Sequence, residues 1–176
     1  EMAVFAASNS GQTKEVIRLA NALKSNGHKA IYGLTANNGT KLGELASLTH
    51  ILACGKEDAV AATKSVVEQG LFYDALIRAL RGEKMNDLSK VADQSKEALT
   101  LKIPQDITNI IRSAGIIYFA GRNNGVAEEL ALKTNEITRK KSAYLEGTFP
   151  VHGIEEVMDK NEVLIWMDPF KQEMEK

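Results

Sequence analysis

The sequence predicts an α/β fold built on a parallel sheet, and three observations carry that prediction. Short apolar runs alternate with longer helical patterns from the first residues onward, as parallel βαβ units require. The strand candidates are apolar throughout, the pattern of strands covered by helices on both sides. Turn and capping signals punctuate the alternation. Right-handed crossovers then place helices on both faces of the sheet.

The elements follow in order. Residues 3–7 are a short apolar strand followed at once by small polar residues. A helix starts at Thr13, with Val16, Ile17, Leu19, Ala20 and Leu23 on one side, and stops at the Asn26-Gly27 cap. Residues 30–34 are the next strand, Asn37-Asn38-Gly39 a turn, and Leu42, Leu45 and Ala46 mark a short helix. Residues 50–53 give a third strand, and a long helix is expected over 61–81. Residues 82–113 read as helical and richer in charge, with a Leu88, Val91, Ala92 stripe. Pro104 opens a further helix whose buried face is Ile107, Ile110 and Ile111.

Alternation then resumes. Residues 115–120 are a strand, 121–125 a turn and 126–138 a helix. A short strand is expected at 142–144 and a clear one at 163–167. This predicts a first lobe with a helical connector over residues 1–112 and the beginning of a second over 113–176. The chain opens directly on a strand, which suggests that a longer protein precedes it.

Composition bounds the function. Of 176 residues, 44% are hydrophobic and 26% charged, the profile of a globular protein. The formal net charge of −1 provides no field to recruit nucleic acid or an anionic membrane. No apolar run approaches the length of a membrane span. The single cysteine, Cys54, forbids an intrachain disulfide, and three scattered histidines argue against a structural zinc site. The expectation is a cytoplasmic protein with no metal and no redox cofactor, since no glycine-rich dinucleotide fingerprint is present.

The sharpest local signal is Ser8-Asn9-Ser10-Gly11-Gln12-Thr13, between a strand and a helix. A phosphate needs several donors converging on one point, and free N–H groups at a helix N-terminus supply them. Gly11 permits close backbone approach. The hydroxyls of Ser8, Ser10 and Thr13 add side-chain donors. The position, beyond the carboxyl end of a strand, is where open α/β sheets bind ligands. The competing reading is that Ser, Thr and Gly before a helix are ordinary capping residues.

Ser8 to Glu15 resembles the S-x-S-G-x-T-x-E phosphate loop of the SIS (sugar isomerase) domain family. Glu57-Asp58-Ala59-Val60-Ala61-Ala62-Thr63-Lys64-Ser65 resembles that family's E-x-x-V-A-S-T-K segment. The run from Glu128 through Lys133 to Glu136-Ile137 is similar to the E-x-A-L-K-x-K-E-I helix of a second SIS domain, and residues 144–153 are similar to the tract ending in H-G that follows it. The resemblance is to double-SIS phosphosugar isomerases related to the isomerase half of glucosamine-6-phosphate synthase. It implies a three-layer αβα, flavodoxin-like lobe plus the beginning of a second.

The resemblance also implies site residues. Ser8, Ser10 and Thr13, with the backbone around Asn9 and Gly11, would bind the phosphate. Val60 and Ala61 would contact the sugar through the backbone, and Ala62 stands where the family has a serine. Glu136 matches the glutamate that moves a proton between C1 and C2, Lys133 the nearby lysine, and His152 the ring-opening histidine that acts across a subunit boundary. The ligand would be a hexose 6-phosphate or amino-sugar phosphate, and the assembly a homodimer with shared sites. A deaminase or deglycase, and a non-catalytic phosphosugar sensor, are the alternatives.

An aldose–ketose shift needs a carboxylate base and donors for the enediolate, and ring opening suits a histidine. Each candidate has a plainer reading. Lys133 and Glu136, three apart on a helix, also make an ordinary surface pair, and His152 an ordinary helix cap. Cys54 reads as a small buried residue, Trp166 as core, and His28 and His50 as structural or exposed.

Overall fold

The computed structural model describes residues 2–169. The chain divides into two compact units, Glu1–Asp87 and Leu88–Lys176, each with its own three-stranded parallel sheet.

In the first unit the order is β1 (Val4–Ala7), α1 (Lys14–Ser25), β2 (Ile31–Thr35), α2 (Lys41–Leu45), β3 (Leu48–Ile51) and α3 (Lys64–Leu80). The strands run parallel in the order β1-β2-β3, with Val4 opposite Ile31 and Tyr32 opposite Leu48. All three carboxyl ends therefore lie along one edge. Alternating side chains serve two cores. Ala6 packs with Ala20 of α1 and Leu42 of α2 on one face. Leu34, Ala36 and Leu52 pack with Phe72 and Tyr73 of α3 on the other. The expected helices on both faces of a parallel sheet are present. The third strand begins and ends two residues earlier than its apolar run predicts, and Leu52, whose N–H still donates to the Thr35 carbonyl at 2.8 Å, buries in the α3 core.

The second unit holds α4 (Ser89–Thr100), α5 (Gln105–Ser113), β4 (Ile117–Gly121), α6 (Val126–Lys133), β5 (Ser142–Glu146) and β6 (Val163–Trp166). Its parallel strands are ordered β5-β4-β6. Ile117 and Phe119 of β4 pack with Ala127 and Ala131 of α6, joined by Ile111, Val163 and Ile165. Two expectations fail here. Of the proposed buried face of α5, Ile111 alone packs, while Ile107 and Ile110 are exposed, because a single turn of α5 reaches this core. The helix expected over 126–138 is not uniform. It is α-helical to Lys133 and then becomes a π turn, Thr134–Thr138. Among the described residues no helix is long and apolar enough to cross a membrane.

Candidate phosphate site and proton-transfer pair

The turn after β1 is held from within and from the next loop. The Ser8 and Thr13 hydroxyls share a hydrogen bond of 2.8 Å, and the Thr13 N–H points at Ser8 Oγ at 3.4 Å. The Gln12 N–H donates to Ser10 Oγ at 3.1 Å. Gly11 donates its N–H to the Ser8 carbonyl at 2.9 Å and accepts from the Leu42 N–H at 3.1 Å. Its φ is +65°, and a Cβ there would land inside the Thr40 side chain. Only glycine fits both conditions.

The β2–α2 loop clamps the same turn. The Asn9 carbonyl accepts from the Ala36 N–H at 3.0 Å, Thr35 Oγ1 at 3.1 Å and Asn37 Nδ2 at 3.0 Å. Thr35 and Thr40 are buried. These residues join the site through contacts across more than twenty positions, and no local motif announces them. The Asn9 Oδ1 is buried without a hydrogen-bond partner among the described residues. The N-cap Thr13 makes no side-chain bond to the first turn of α1, so no side chain of the cap occupies those N–H groups.

The segment after β3 is built around carboxylates. Glu57 Oε1 accepts from the N–H groups of Thr63 and Lys64, both at 3.0 Å, and from Thr63 Oγ1 at 3.3 Å. Its Oε2 accepts from the Ser65 N–H at 3.1 Å and from the Ser65 hydroxyl. These donors, the Ser65 hydroxyl foremost, hold the Glu57 carboxyl down at about 2. Glu68 accepts from the N–H groups of Ala53 and Cys54 at 2.6 and 2.7 Å. The bond with Glu68 pushes the Cys54 thiol up, which fits an inert thiol better than a nucleophile. Val60, Ala61 and Ala62 sit in the bend between these anchors, with Val60 fully exposed.

In the second unit Lys133 and Glu136 come together. Lys133 Nζ lies 2.7 Å from Glu136 Oε2 and 3.5 Å from Glu129 Oε1. The lysine is half-buried at 18% side-chain exposure, and the hydrogen bond to Glu136, aided by Glu129, raises its pKa. It is therefore charged at neutral pH and suited to stabilising an oxyanion rather than to taking a proton. Glu129 is a member of the cluster that sequence reading left out, although its i,i+4 spacing from Lys133 signals the contact.

The π turn that carries Glu136 is fastened to β5. Asn135 exchanges hydrogen bonds with the Ser142 backbone at 3.2 and 3.0 Å, and Ser142 Oγ donates to the Ala131 carbonyl at 2.7 Å. His152 is exposed between two 3-10 turns, Phe149–Val151 and Ile154–Glu156, and its imidazole makes no hydrogen bond with Lys133 or Glu136.

The β4–α6 turn leaves the central strand of the second sheet, whereas the Ser8 turn leaves an edge strand of the first. Its Asn123 has φ +57° and donates its N–H to Glu146 Oε2, and the Asn124 Oδ1 accepts from the Val126 N–H at 3.2 Å. A Cβ on Gly121 would lie 2.8 Å from the Ala127 Cβ. Among the described residues no group of three or more His, Cys, Asp or Glu comes together as metal ligands would.

Residues 1–79 match the family model described as SIS domain. The chain is 29% identical over 153 residues to a glutamine–fructose-6-phosphate aminotransferase (isomerizing) of Aeropyrum pernix, covering 78% of this chain and 25% of that protein. Its fold is shared with the C-terminal domain of glucosamine-fructose-6-phosphate aminotransferase from Francisella tularensis. That match has a TM-score of 0.74 at 21% identity, over 97% of this chain and 52% of the other. A glucosamine-6-phosphate deaminase from Thermotoga maritima matches with a TM-score of 0.79 at 23% identity, over 97% and 55%. The chain thus spans a quarter of the length of the curated relative and about half of each solved chain.

Proposed function

We propose, for a chain whose residues 1–79 match the SIS domain model, a phosphosugar enzyme that moves a proton between adjacent carbons of a hexose 6-phosphate or its amino derivative. The observation that carries the reading is the β1–α1 turn: neutral donors, a glycine fixed at positive φ and a helix terminus without a side-chain plug. Such a site binds a dianion without a lysine or arginine. Glu136 serves as the base, and the charged Lys133 beside it stabilises the enediolate oxygen. His152 opens the ring. Val60, Ala61 and Ala62 face the sugar. We read residues 1–112 as one SIS domain and 113–176 as the beginning of a second, in a homodimer with shared sites. No metal or redox cofactor enters this chemistry.

The test follows solvent deuterium exchange at C1 and C2 of fructose 6-phosphate and glucosamine 6-phosphate by NMR, with and without an ammonia donor. The protein is used as the full natural chain, as wild type and as Glu136→Gln. Exchange that disappears in the variant while the sugar phosphate still binds supports the proton-transfer role, and the product names the subclass. Binding without exchange in either protein favours a sensor. No binding of either sugar phosphate sinks the reading of the turn.

A further inference from the structure

Three helices follow the carboxyl ends of the first sheet's strands, and the N-termini of α1 and α3 are furnished in opposite ways. The α1 terminus has no side-chain cap bond. The α3 terminus is filled by the Glu57 carboxylate, which accepts three backbone N–H groups and two hydroxyls. Two further backbone donors, at the end of β3, are taken by Glu68. The nearby cations are engaged as well: Lys64 Nζ donates to the Cys54 carbonyl at 2.7 Å, and Lys56 pairs with Asp58 at 2.8 Å. α3 packs back over β1, with Phe72 and Tyr73 at ring-centroid distances of 6.5 and 6.4 Å from Phe5, so its N-terminus opens on the same edge of the sheet as the β1–α1 turn.

We propose that Glu57 is a specificity residue that restricts this site to sugars bearing a single phosphate. Its carboxylate stands where a second phosphate would seek donors, consumes those donors and repels the incoming charge. The inference rests on the reading of the β1–α1 turn as the phosphate site. A helix terminus attracts anions because its N–H groups and dipole are unanswered. With a carboxylate of the chain itself in place, the same terminus becomes a barrier. A hexose monophosphate directs only its hydroxyls toward this side and meets no like charge there.

The test is calorimetric titration of the full chain with inorganic phosphate, fructose 6-phosphate and fructose 1,6-bisphosphate, for wild type and Glu57→Gln. Wild type is expected to bind the bisphosphate at least about tenfold more weakly than the monophosphate, the least that a like charge facing the second phosphate should produce. Glu57→Gln, which removes the charge, is expected to narrow that gap while inorganic phosphate affinity at the Ser8 turn stays within about threefold. A folded variant with an unchanged gap overturns the proposal. If the variant does not fold, the wild-type ratio decides, and equal affinities overturn the proposal. Failure of all three ligands to bind overturns the reading of the turn, and this inference falls with it.

Discussion

At the end of β1 the chain turns through Gly11 into α1, and at the end of β4 it turns through Asn123 into α6. Both turns use a residue at positive φ, and both pack a glycine where a Cβ would collide. The side chains around them differ in kind. The first turn is lined by the hydroxyls of Ser8, Ser10 and Thr13 and clamped by Thr35 and Asn37. The second is occupied by the Glu146 carboxylate and leads into a helix whose first turn carries Glu128 and Glu129. One backbone device therefore serves two chemistries. Neutral donors around an open helix terminus suit an anion, whereas carboxylates around a lysine suit proton transfer and repel phosphate.

The largest test of this division is Glu136→Gln. If the second unit supplies the base, hydrogen exchange should fall by about 10²- to 10⁴-fold, and inorganic phosphate affinity at the first turn should not change. A parallel loss of phosphate affinity would break the comparison. Gly11→Ala attacks the other side. The new methyl meets Thr40 in a backbone conformation that disfavours it, at an expected cost of about 2–4 kcal/mol in the stability of the first unit. Chemical denaturation measures that cost, and phosphate titration should show loss of binding. A variant as stable as wild type would mean that the turn is looser than its contacts indicate. Ser8→Ala is milder. It removes the two hydrogen bonds with Thr13 and one phosphate donor, and should weaken phosphate binding by about tenfold.

The same division separates what the sequence discloses from what it conceals. Ser8 to Thr13 is legible because a strand, a hydroxyl-rich turn and a helix lie consecutively in the chain. Lys133 and Glu136 are legible because residues three apart on a helix share a face. The clamp by Thr35 and Asn37 is not, since it depends on the β1–β2 register and joins positions 26 and 28 residues apart. Glu57 belongs to a recognisable motif, yet its role as plug of α3 requires a bend at residues 58–62 that composition does not dictate. The π turn at Thr134–Thr138 is hidden for another reason. An i→i+5 turn differs from an α-helix by one residue per turn and is fixed here by the bonds of Asn135 and Ser142, from outside the helix.

The finest distinction within the second unit concerns Glu129. Both glutamates raise the pKa of Lys133, with its hydrogen bond to Glu136 the largest cause. A lysine whose folded pKa lies above its ordinary 10.5 contributes stability that is fully present below that value and is lost as pH rises through the folded pKa. Glu129→Gln removes the lesser partner. At pH 7 the amine stays charged, so the exchange rate should drop by only about two- to fivefold, through looser placement of Nζ. The alkaline limb of the rate profile should move to lower pH, because the ammonium has lost one of its two counter-charges. A merely structural role for Glu129 would lower the rate and leave that limb in place. The pH profile therefore decides whether the second unit's carboxylates act on Lys133 as a pair or whether Glu136 holds it alone.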